Sequence, residues 1–171
     1  MSEQTEQPPT PDAVDAIAAQ WNAVRPDLAT DGMTVFGRMG RISRAVTDSV
    51  SQVHAGHGIG RGEFDVLATL RRSGEPYTLS PRELTATLML TTGGMTGRLD
   101  KLERAGLITR SPDPNDRRGL RITLTEEGLA MVERAVGPGV EVYQRTIAVL
   151  TPEETATLNE LLRRLLASAG G

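Results

Sequence analysis

Basic side chains gather in one stretch of a chain that is acidic overall. The 171 residues carry a net charge of −3, yet the segment from Arg98 to Arg121 holds seven basic and four acidic residues and is therefore +3. Arg117 and Arg118 are adjacent within Ser111–Gly119, a stretch rich in Pro, Asn and Asp that predicts a turn. Paired guanidinium groups on a projecting loop can neutralise phosphates or enter a minor groove, and such binding weakens with salt. This basic loop therefore predicts contact with DNA.

A solvated loop of mixed charge is the ordinary alternative for any single arginine of this segment. It suits Arg104 best, because Arg104 can pair with Asp100 on the same face of a helix. It suits Arg117 and Arg118 less well, because two adjacent guanidinium groups are expected at the tip of a hairpin.

Two short helices are predicted before this loop. The segment Ser80-Pro81-Arg82-Glu83 is typical of a helix start, with a capping serine, a proline at the first helical position and a glutamate that can bond back to the cap. This helix ends near Leu90, and Thr91 can cap a second helix. The second helix is amphipathic, since its apolar residues recur four and then three positions apart: Met95, Leu99 and Leu102.

The opposite side of the second helix is small and polar at its N-terminus and basic further on. Its glycine pair, Gly93 and Gly94, costs roughly 1 kcal/mol per glycine relative to alanine. Close approach of the helix N-terminus to a phosphate or base edge explains that choice, and a frayed first turn is the alternative. The predicted DNA-binding residues are Thr91, Thr92, Gly93, Gly94, Thr96, Arg98, Lys101, Arg117 and Arg118.

Two short strands are predicted around the basic loop. Gly106 is expected to end the second helix, because glycine readily adopts the left-handed conformation at that position. Leu107–Arg110 and Leu120–Leu124 then read as the strands of a hairpin whose turn is Ser111–Gly119.

Together these segments resemble the MarR family of bacterial transcription regulators. The resemblance covers roughly residues 35 to 168. Its motifs are Met95-Thr96-Gly97-Arg98-Leu99, Leu102-Glu103-Arg104-Ala105-Gly106-Leu107-Ile108, Asp116-Arg117-Arg118 and Leu124-Thr125. The resemblance implies a mainly α fold with a small β-wing, a winged helix-turn-helix. It also implies a homodimer that binds a palindromic operator in double-stranded DNA and is released by a small ligand.

Four residues are similar to the ligand-binding set of the urate-responsive branch of this family, which also carries an extra N-terminal helix. They are Trp21, Asp65, Arg98 and Arg110. Two arginines can hold a planar anion by forked hydrogen bonds, a tryptophan can stack on it, and an aspartate can neutralise the arginines in an empty site. Two alternatives stay open: Trp21 as a core residue of the first helix, and Asp65 and Arg98 as an ordinary ion pair. Urate or a related purine is the expected effector, and phenolic carboxylates are the alternative.

The sequence does not show the residues that metal sites, enzymes or membrane proteins require. Cysteine is absent, which excludes disulfides and thiolate metal sites. His54 and His57 have no third ligand nearby, so we expect them to end a helix and face solvent. No catalytic set or phosphate loop is evident, so neither an enzyme nor a cofactor is expected. No membrane span or leader is evident, which predicts a cytoplasmic protein. An architectural DNA-binding protein without an effector remains an alternative.

Helical periodicity accounts for the rest of the chain. It predicts helices over Asp12–Val24, Val35–His54 and Gly62–Arg72, and Gly137-Pro138-Gly139 is expected to interrupt the helix after the hairpin. The first long helix and the leucine-rich last helix have wide apolar stripes, which suit either packing within one chain or, as the resemblance favours, a dimer. The predicted organisation is a disordered tail (1–10), an extra helix and linker (11–34), dimerisation helices (35–58 and 126–171) and a winged helix-turn-helix region (59–125).

Overall fold

The computed structural model describes residues 10–88, 92–114 and 116–169, with only the backbone described at positions 92, 93, 117 and 118. Thr91 and all of the predicted disordered tail except Thr10 lie outside the described residues. The chain divides into two compact units, Met1–Thr47 and Asp48–Gly171. None of the helices in the described ranges is both long and apolar enough to cross a membrane.

The first unit contains helix α1 (Ala13–Val24) and most of helix α2 (Asp31–Gly56). Asp12 caps α1 by accepting from the amides of Val14 and Asp15, at 2.7 and 3.0 Å. Arg38 of α2 holds the same end of α1, because its guanidinium bonds the carboxylates of Asp12 (2.8 Å) and Asp15 (2.5 Å). The extra N-terminal helix is therefore fixed to α2 at its first turn. The sequence placed the start of α2 at Val35, later than the observed start.

The second unit contains the end of α2 and all of the remaining elements. A three-stranded antiparallel sheet has the order β1-β3-β2, with Thr78 opposite Thr123 and Ile108 opposite Leu124. The elements are α3 (Arg61–Arg72), β1 (Thr78–Leu79), α4 (Pro81–Leu88), α5 (Thr92–Arg104), β2 (Ile108–Asp113), β3 (Asp116–Leu124), α6 (Glu126–Ile147) and α7 (Pro152–Ala169).

Helix α3 lies at the centre of the second unit. It packs against α4, α5, α6 and β3, and residues 66–70 are all buried along it. Helical periodicity predicted this helix, and its neighbours on several sides bury more of its surface than one apolar stripe would cover. The largest fully buried side chains include Leu67 and Leu70 of α3, Leu84 of α4, Met95 and Leu102 of α5, and Ile108 and Ile122 of the sheet. This aliphatic core fixes the positions of α4 and α5.

The hairpin has longer strands than the sequence predicted. The predicted turn Ser111–Gly119 is wrong in extent, because β2 continues to Asp113 and β3 begins at Asp116. Pairing of Ser111 with Arg121 and of Pro112 with Leu120 extends the ladder into the proline-rich segment. Local composition predicted the change of direction but not how far the strand pairing would reach.

Helix α6 is continuous through Pro138, so the predicted interruption at Gly137-Pro138-Gly139 is wrong. The residues on either side of the proline are held by packing: Ala135 and Gly139 are both buried, and α6 packs against α3. Tertiary contacts on one face of the helix therefore outweigh the loss of one backbone hydrogen bond, which is the local cost that a proline imposes.

Candidate nucleic-acid interface and ligand cavities

Helices α4 and α5 have the geometry that their sequence predicted. Ser80 and Glu83 form the predicted capping box, with the Ser80 amide 2.7 Å from the Glu83 carboxylate and the Glu83 amide 3.2 Å from the Ser80 hydroxyl. On α5 the predicted apolar stripe, Met95, Leu99 and Leu102, is buried. The opposite side is exposed at Thr96, Gly97 and Lys101. This helix therefore presents small and basic residues to solvent while its other face is anchored in the core.

Arg110 joins the hairpin to α5. Its guanidinium contacts the carboxylates of Asp100 (2.5 Å) and Glu103 (3.2 Å), which lie on the same helix. The Arg110 side chain is only 21% exposed, so this contact is better protected from water than an ordinary surface pair. Arg104 donates to the carbonyl oxygen of Asp100 (3.1 Å), whereas the Asp100 carboxylate that was predicted to pair with Arg104 pairs with Arg110.

The start of α3 contacts two basic residues of α5. Lys101 lies 2.9 Å from the carboxylate of Glu63. Burial opposes ionisation of Glu63, but the Lys101 ammonium and its own backbone amide outweigh burial and lower its pKa. The Arg98 guanidinium lies against Gly62, where a Cβ would be 2.6 Å from its central carbon. Glycine at position 62 is thus what allows Arg98 to lie beside α3.

A cavity of about 580 Å³ lies between α4, α5 and the hairpin; we call it the Arg110 cavity. Arg82 and Arg110 provide its charged groups, and Thr85 and Thr96 provide hydroxyls. Met95, Leu99, Leu120 and Ile122 provide most of its apolar wall.

A second cavity, of about 230 Å³, lies between the end of α2, α3 and α6; we call it the Asp65 cavity. His54 lines it and is stacked on Phe64, with ring centroids 3.9 Å apart. His54 is 3% exposed, so the prediction that it faces solvent is wrong. Packing of α2 against α3 and α6 covers it, and this burial lowers its pKa. The described residues contain no cluster of three or more metal-binding side chains.

Comparison with known proteins agrees with this arrangement. A profile of the MarR family matches residues 57–119. The HTH-type transcriptional regulator PecS of Dickeya dadantii is 39% identical over 152 residues, which cover 89% of this chain and 92% of PecS. The chain belongs to the MarR family. The multiple antibiotic resistance protein MarR of Salmonella typhimurium is 38% identical over 105 residues, 61% of this chain and 71% of that protein.

Solved structures of the MarR family show the same fold. A mutant of MarR from E. coli complexed with operator DNA superposes with a TM-score of 0.70, at 27% identity, over 85% of this chain and 97% of that one. The predicted winged helix fold, mainly α with a small β-wing, is therefore confirmed. The hairpin β2–β3 is the wing, and α5 takes the place of the second helix of the helix-turn-helix.

The residues predicted as the ligand set of this MarR-family protein fall into separate places. Asp65 lines the Asp65 cavity, Arg110 lines the Arg110 cavity, and Arg98 lies against Gly62. Across the ranges that the structure describes, Asp65 and Arg98 do not form the ion pair that was the alternative reading. Trp21 belongs to the first unit and is 43% exposed on α1, and its part in a ligand pocket stays a prediction.

The predicted DNA-binding residues that the structure describes lie on α5 and β3. Gly94, Thr96, Arg98 and Lys101 are on α5, and the backbones of Thr92 and Gly93 begin it. The backbones of Arg117 and Arg118 lie in β3, next to the turn. Sequence reasoning missed several residues that line the cavities or hold the basic groups, because partners distant in sequence define those roles. They are His54, Arg61, Glu63, Arg72, Arg82 and Tyr143.

Proposed function

We propose that this MarR-family transcriptional regulator is a repressor that binds an inverted-repeat operator as a homodimer and is released by a small aromatic anion. The single observation on which the proposal of DNA binding depends is the joint surface of α5 and the wing. One face of α5 is buried while its small and basic face is exposed, and Arg110 ties the wing to the same helix. Such a surface suits a helix lying in the major groove with an arginine-bearing hairpin beside it.

Exposed apolar side chains support the homodimer, in each unit taken by itself. In the second unit, α7 has no buried residue, and Leu158, Leu161 and Leu165, which lie three and four positions apart, are 42%, 48% and 36% exposed. In the first unit, Phe36 of α2 is 59% exposed. Aliphatic and aromatic side chains at helical spacing are stabilised when a second copy covers them. A two-fold dimer would present two α5 helices about one DNA turn apart, roughly 34 Å, and would therefore recognise an inverted repeat.

A planar anion is the effector class that both cavities suit. The Arg110 cavity offers two guanidinium groups, and the Asp65 cavity offers arginines beside an aromatic stack. Urate or a related purine is our first candidate, because Trp21, Asp65, Arg98 and Arg110 are similar in residue type to the ligand set of the urate-responsive branch. Asp65 and Arg110 line different cavities, so either cavity alone supplies only part of that set. A phenolic carboxylate is the second, because the mostly apolar wall of the Arg110 cavity suits a single aromatic ring with one carboxylate.

The test of DNA binding compares three duplexes at fixed salt by fluorescence anisotropy. They are the DNA upstream of the protein's own gene, an inverted repeat found in it by footprinting, and a scrambled sequence of equal length. We expect the repeat to bind at least about 10³-fold more tightly than the scrambled duplex, with one dimer bound. Equal affinity for the inverted repeat and the scrambled duplex would indicate an architectural protein. Protection of a single half-site by a monomer would rule out binding as a dimer.

A charge-matched pair of variants tests the wing. Replacing Arg117 and Arg118 by Gln removes four arginines from a bound dimer and should reduce the slope of log affinity against log salt by up to about 3.6, since each phosphate contact contributes about 0.9. The control replaces Arg163 and Arg164, an adjacent pair with exposed side chains on α7, and should leave that slope unchanged. An equal loss in both variants would show that only net charge matters.

A further inference from the structure

His54 carries a buried polar atom that the fold leaves without a partner. Its Nδ1 atom is buried and makes no hydrogen bond, although the residue is 3% exposed. Buried polar atoms in proteins are paired in the great majority of cases, because an unpaired one loses its bond to water and gains none. His54 also lines the Asp65 cavity, so the unpaired atom belongs to a residue beside an empty space.

The walls of the Asp65 cavity combine a flat surface with charged groups. The rings of His54 and Phe64 are stacked with an interplanar angle of 29° and offer that flat surface. Arg61 and Arg72 bring two positive charges, against the one negative charge of Asp65. The charge balance favours a ligand that is anionic or rich in hydrogen-bond acceptors, and the stack favours a planar one.

The size of the cavity sets the size of the ligand. Its volume of about 230 Å³ lies below the roughly 300 Å³ at which sites for drug-sized ligands begin. Gly139 of α6 leaves room for the His54 ring at the wall of the cavity, because a Cβ there would lie 3.2 Å from His54 Nε2. A one-ring or two-ring aromatic ligand is therefore the largest class that suits the space.

We propose that the Asp65 cavity is the effector site and that His54 is a ligand-binding residue in it, with Nδ1 hydrogen-bonding a planar aromatic anion. This inference rests on the proposed function, since it assumes an effector, and it chooses between the two cavities. It adds His54, Phe64, Arg61, Arg72 and Tyr143 to Asp65 and leaves Arg110 to the coupling of wing and helix.

The electrostatic surroundings keep His54 able to play this part. Burial lowers its pKa, with Arg61 and His57 acting in the same direction and Asp65 opposing them. A neutral imidazole has one nitrogen that accepts and one that donates, so Nδ1 can accept from a ring N–H or O–H group or donate to an anionic oxygen, depending on the tautomer.

Nuclear magnetic resonance of the histidine rings tests the proposal directly, because the chain has only two histidines. The probes are urate and salicylate, added separately to the full-length protein without DNA, and the variant His57→Phe assigns the two sets of signals. We expect a probe to shift the His54 ring-nitrogen resonances and to leave those of His57 unchanged. Saturation by either probe without any shift at His54 would overturn the proposal, as would the failure of both probes to bind.

Calorimetric titration of matched variants provides the second measurement. His54→Phe keeps an aromatic ring on Phe64 but removes both nitrogens, and we expect probe affinity to fall about three- to tenfold, the effect of one hydrogen bond. His57→Phe, the same change three residues along the chain, should leave probe affinity unchanged. Asp65→Asn, which preserves shape, tests the cavity even if His54→Phe alters folding, and we expect it to change probe affinity.

Arg110→Gln separates the two cavities. Normal probe affinity in this variant supports the Asp65 cavity. Loss of probe binding in Arg110→Gln, with His54→Phe and Asp65→Asn unaffected, would overturn the inference and place the effector in the Arg110 cavity. The proposed function would survive that result, because it fails only when the protein does not prefer an inverted repeat or when no ligand releases DNA.

Discussion

Gly128 is the position where one added methyl group should do the most damage. It lies in the first turn of α6, and a Cβ there would be 2.0 Å from the carbonyl oxygen of Leu107 and 2.9 Å from a methyl group of Leu124. An ordinary contact needs at least 3.4 Å, so the backbone at the start of β2 would have to move by about 1.4 Å. Overpacking of this kind costs up to about 3 kcal/mol, against a gain of at most about 1 kcal/mol from alanine's helix propensity.

We therefore expect Gly128→Ala to lower the free energy of unfolding by about 2 kcal/mol, which corresponds to a fall in Tm of roughly 4–8 °C for a chain of this length. Urea denaturation followed by circular dichroism measures the first quantity and thermal denaturation the second. Operator affinity should fall as well, because Thr125 bonds Gly106 and Leu107 at the same junction and that junction positions the wing.

The matched control is Gly137→Ala, the same change in the same helix. A Cβ at position 137 would meet nothing within 4 Å beyond its chain neighbours, but it would crowd the ring of the following Pro138. Helix propensity opposes that local cost, so stability should change by less than about 1 kcal/mol in either direction. If Gly128→Ala proved as stable as Gly137→Ala, the close approach of α6 to Leu107 would be wrong, and with it our account of how the wing is held.

Two further predictions concern other contacts. Gly62→Ala should preserve or slightly raise Tm, because the atoms that the new methyl group meets belong to the flexible Arg98 guanidinium. Operator affinity should nevertheless fall, as in Arg98→Ala. Unchanged operator affinity would show that the contact of Arg98 with Gly62 plays no part in DNA binding. The Arg38 contacts and the capping amides lower the pKa of Asp12 to about 2 from its usual 3.8, so its contribution to stability should be complete above pH 3.8 and be lost between pH 3.8 and about 2. Acid titration of Arg38→Gln should show a smaller change across that range than the original chain, and identical curves would refute the contact.

Local features that depend on residues close together in the sequence could be predicted from the sequence. The predicted capping box of Ser80 with Glu83 is formed, with the Ser80 amide 2.7 Å from the Glu83 carboxylate. Gly106 ends its helix with a φ of +71°, in the left-handed region that glycine favours. Each of these features depends on atoms within a turn or two of one another, which is the range over which residue type alone is informative.

Features that depend on partners distant in the sequence could not be predicted from the sequence. Strand β1 has two residues and exists only because Thr78 and Leu79 pair with β3. The burial of His54 depends on the ring of Phe64 and on Gly139 of α6, more than eighty residues along the chain. The sequence showed the residue types of the candidate ligand set but not that Asp65 and Arg110 line different cavities. Only the packing of the helices and the hairpin decides which cavity each residue lines.

Helix α3 offers a short physical route from a ligand to DNA. Four consecutive residues of its first turns face two ways: Phe64 and Asp65 line the Asp65 cavity, whereas Gly62 and Glu63 contact Arg98 and Lys101 of α5. A small rotation of this segment around a ligand would therefore alter the contacts of both basic residues with α3. Under the proposed function, the start of α3 is the element through which the effector acts on the DNA-reading helix.

The energies involved make this route sufficient and testable. An effector that binds the released conformation tenfold more tightly supplies about 1.4 kcal/mol of coupling and weakens operator affinity at most about tenfold. The pair of Glu63 with the largely exposed Lys101 is worth about 0.2–1 kcal/mol. If the coupling passes through that pair, Glu63→Gln should leave between about twofold and sevenfold of a tenfold response to saturating urate, measured as operator affinity with and without it. A full tenfold response in Glu63→Gln would mean that Lys101 takes no part, and the route would then have to run through Gly62 and Arg98 alone.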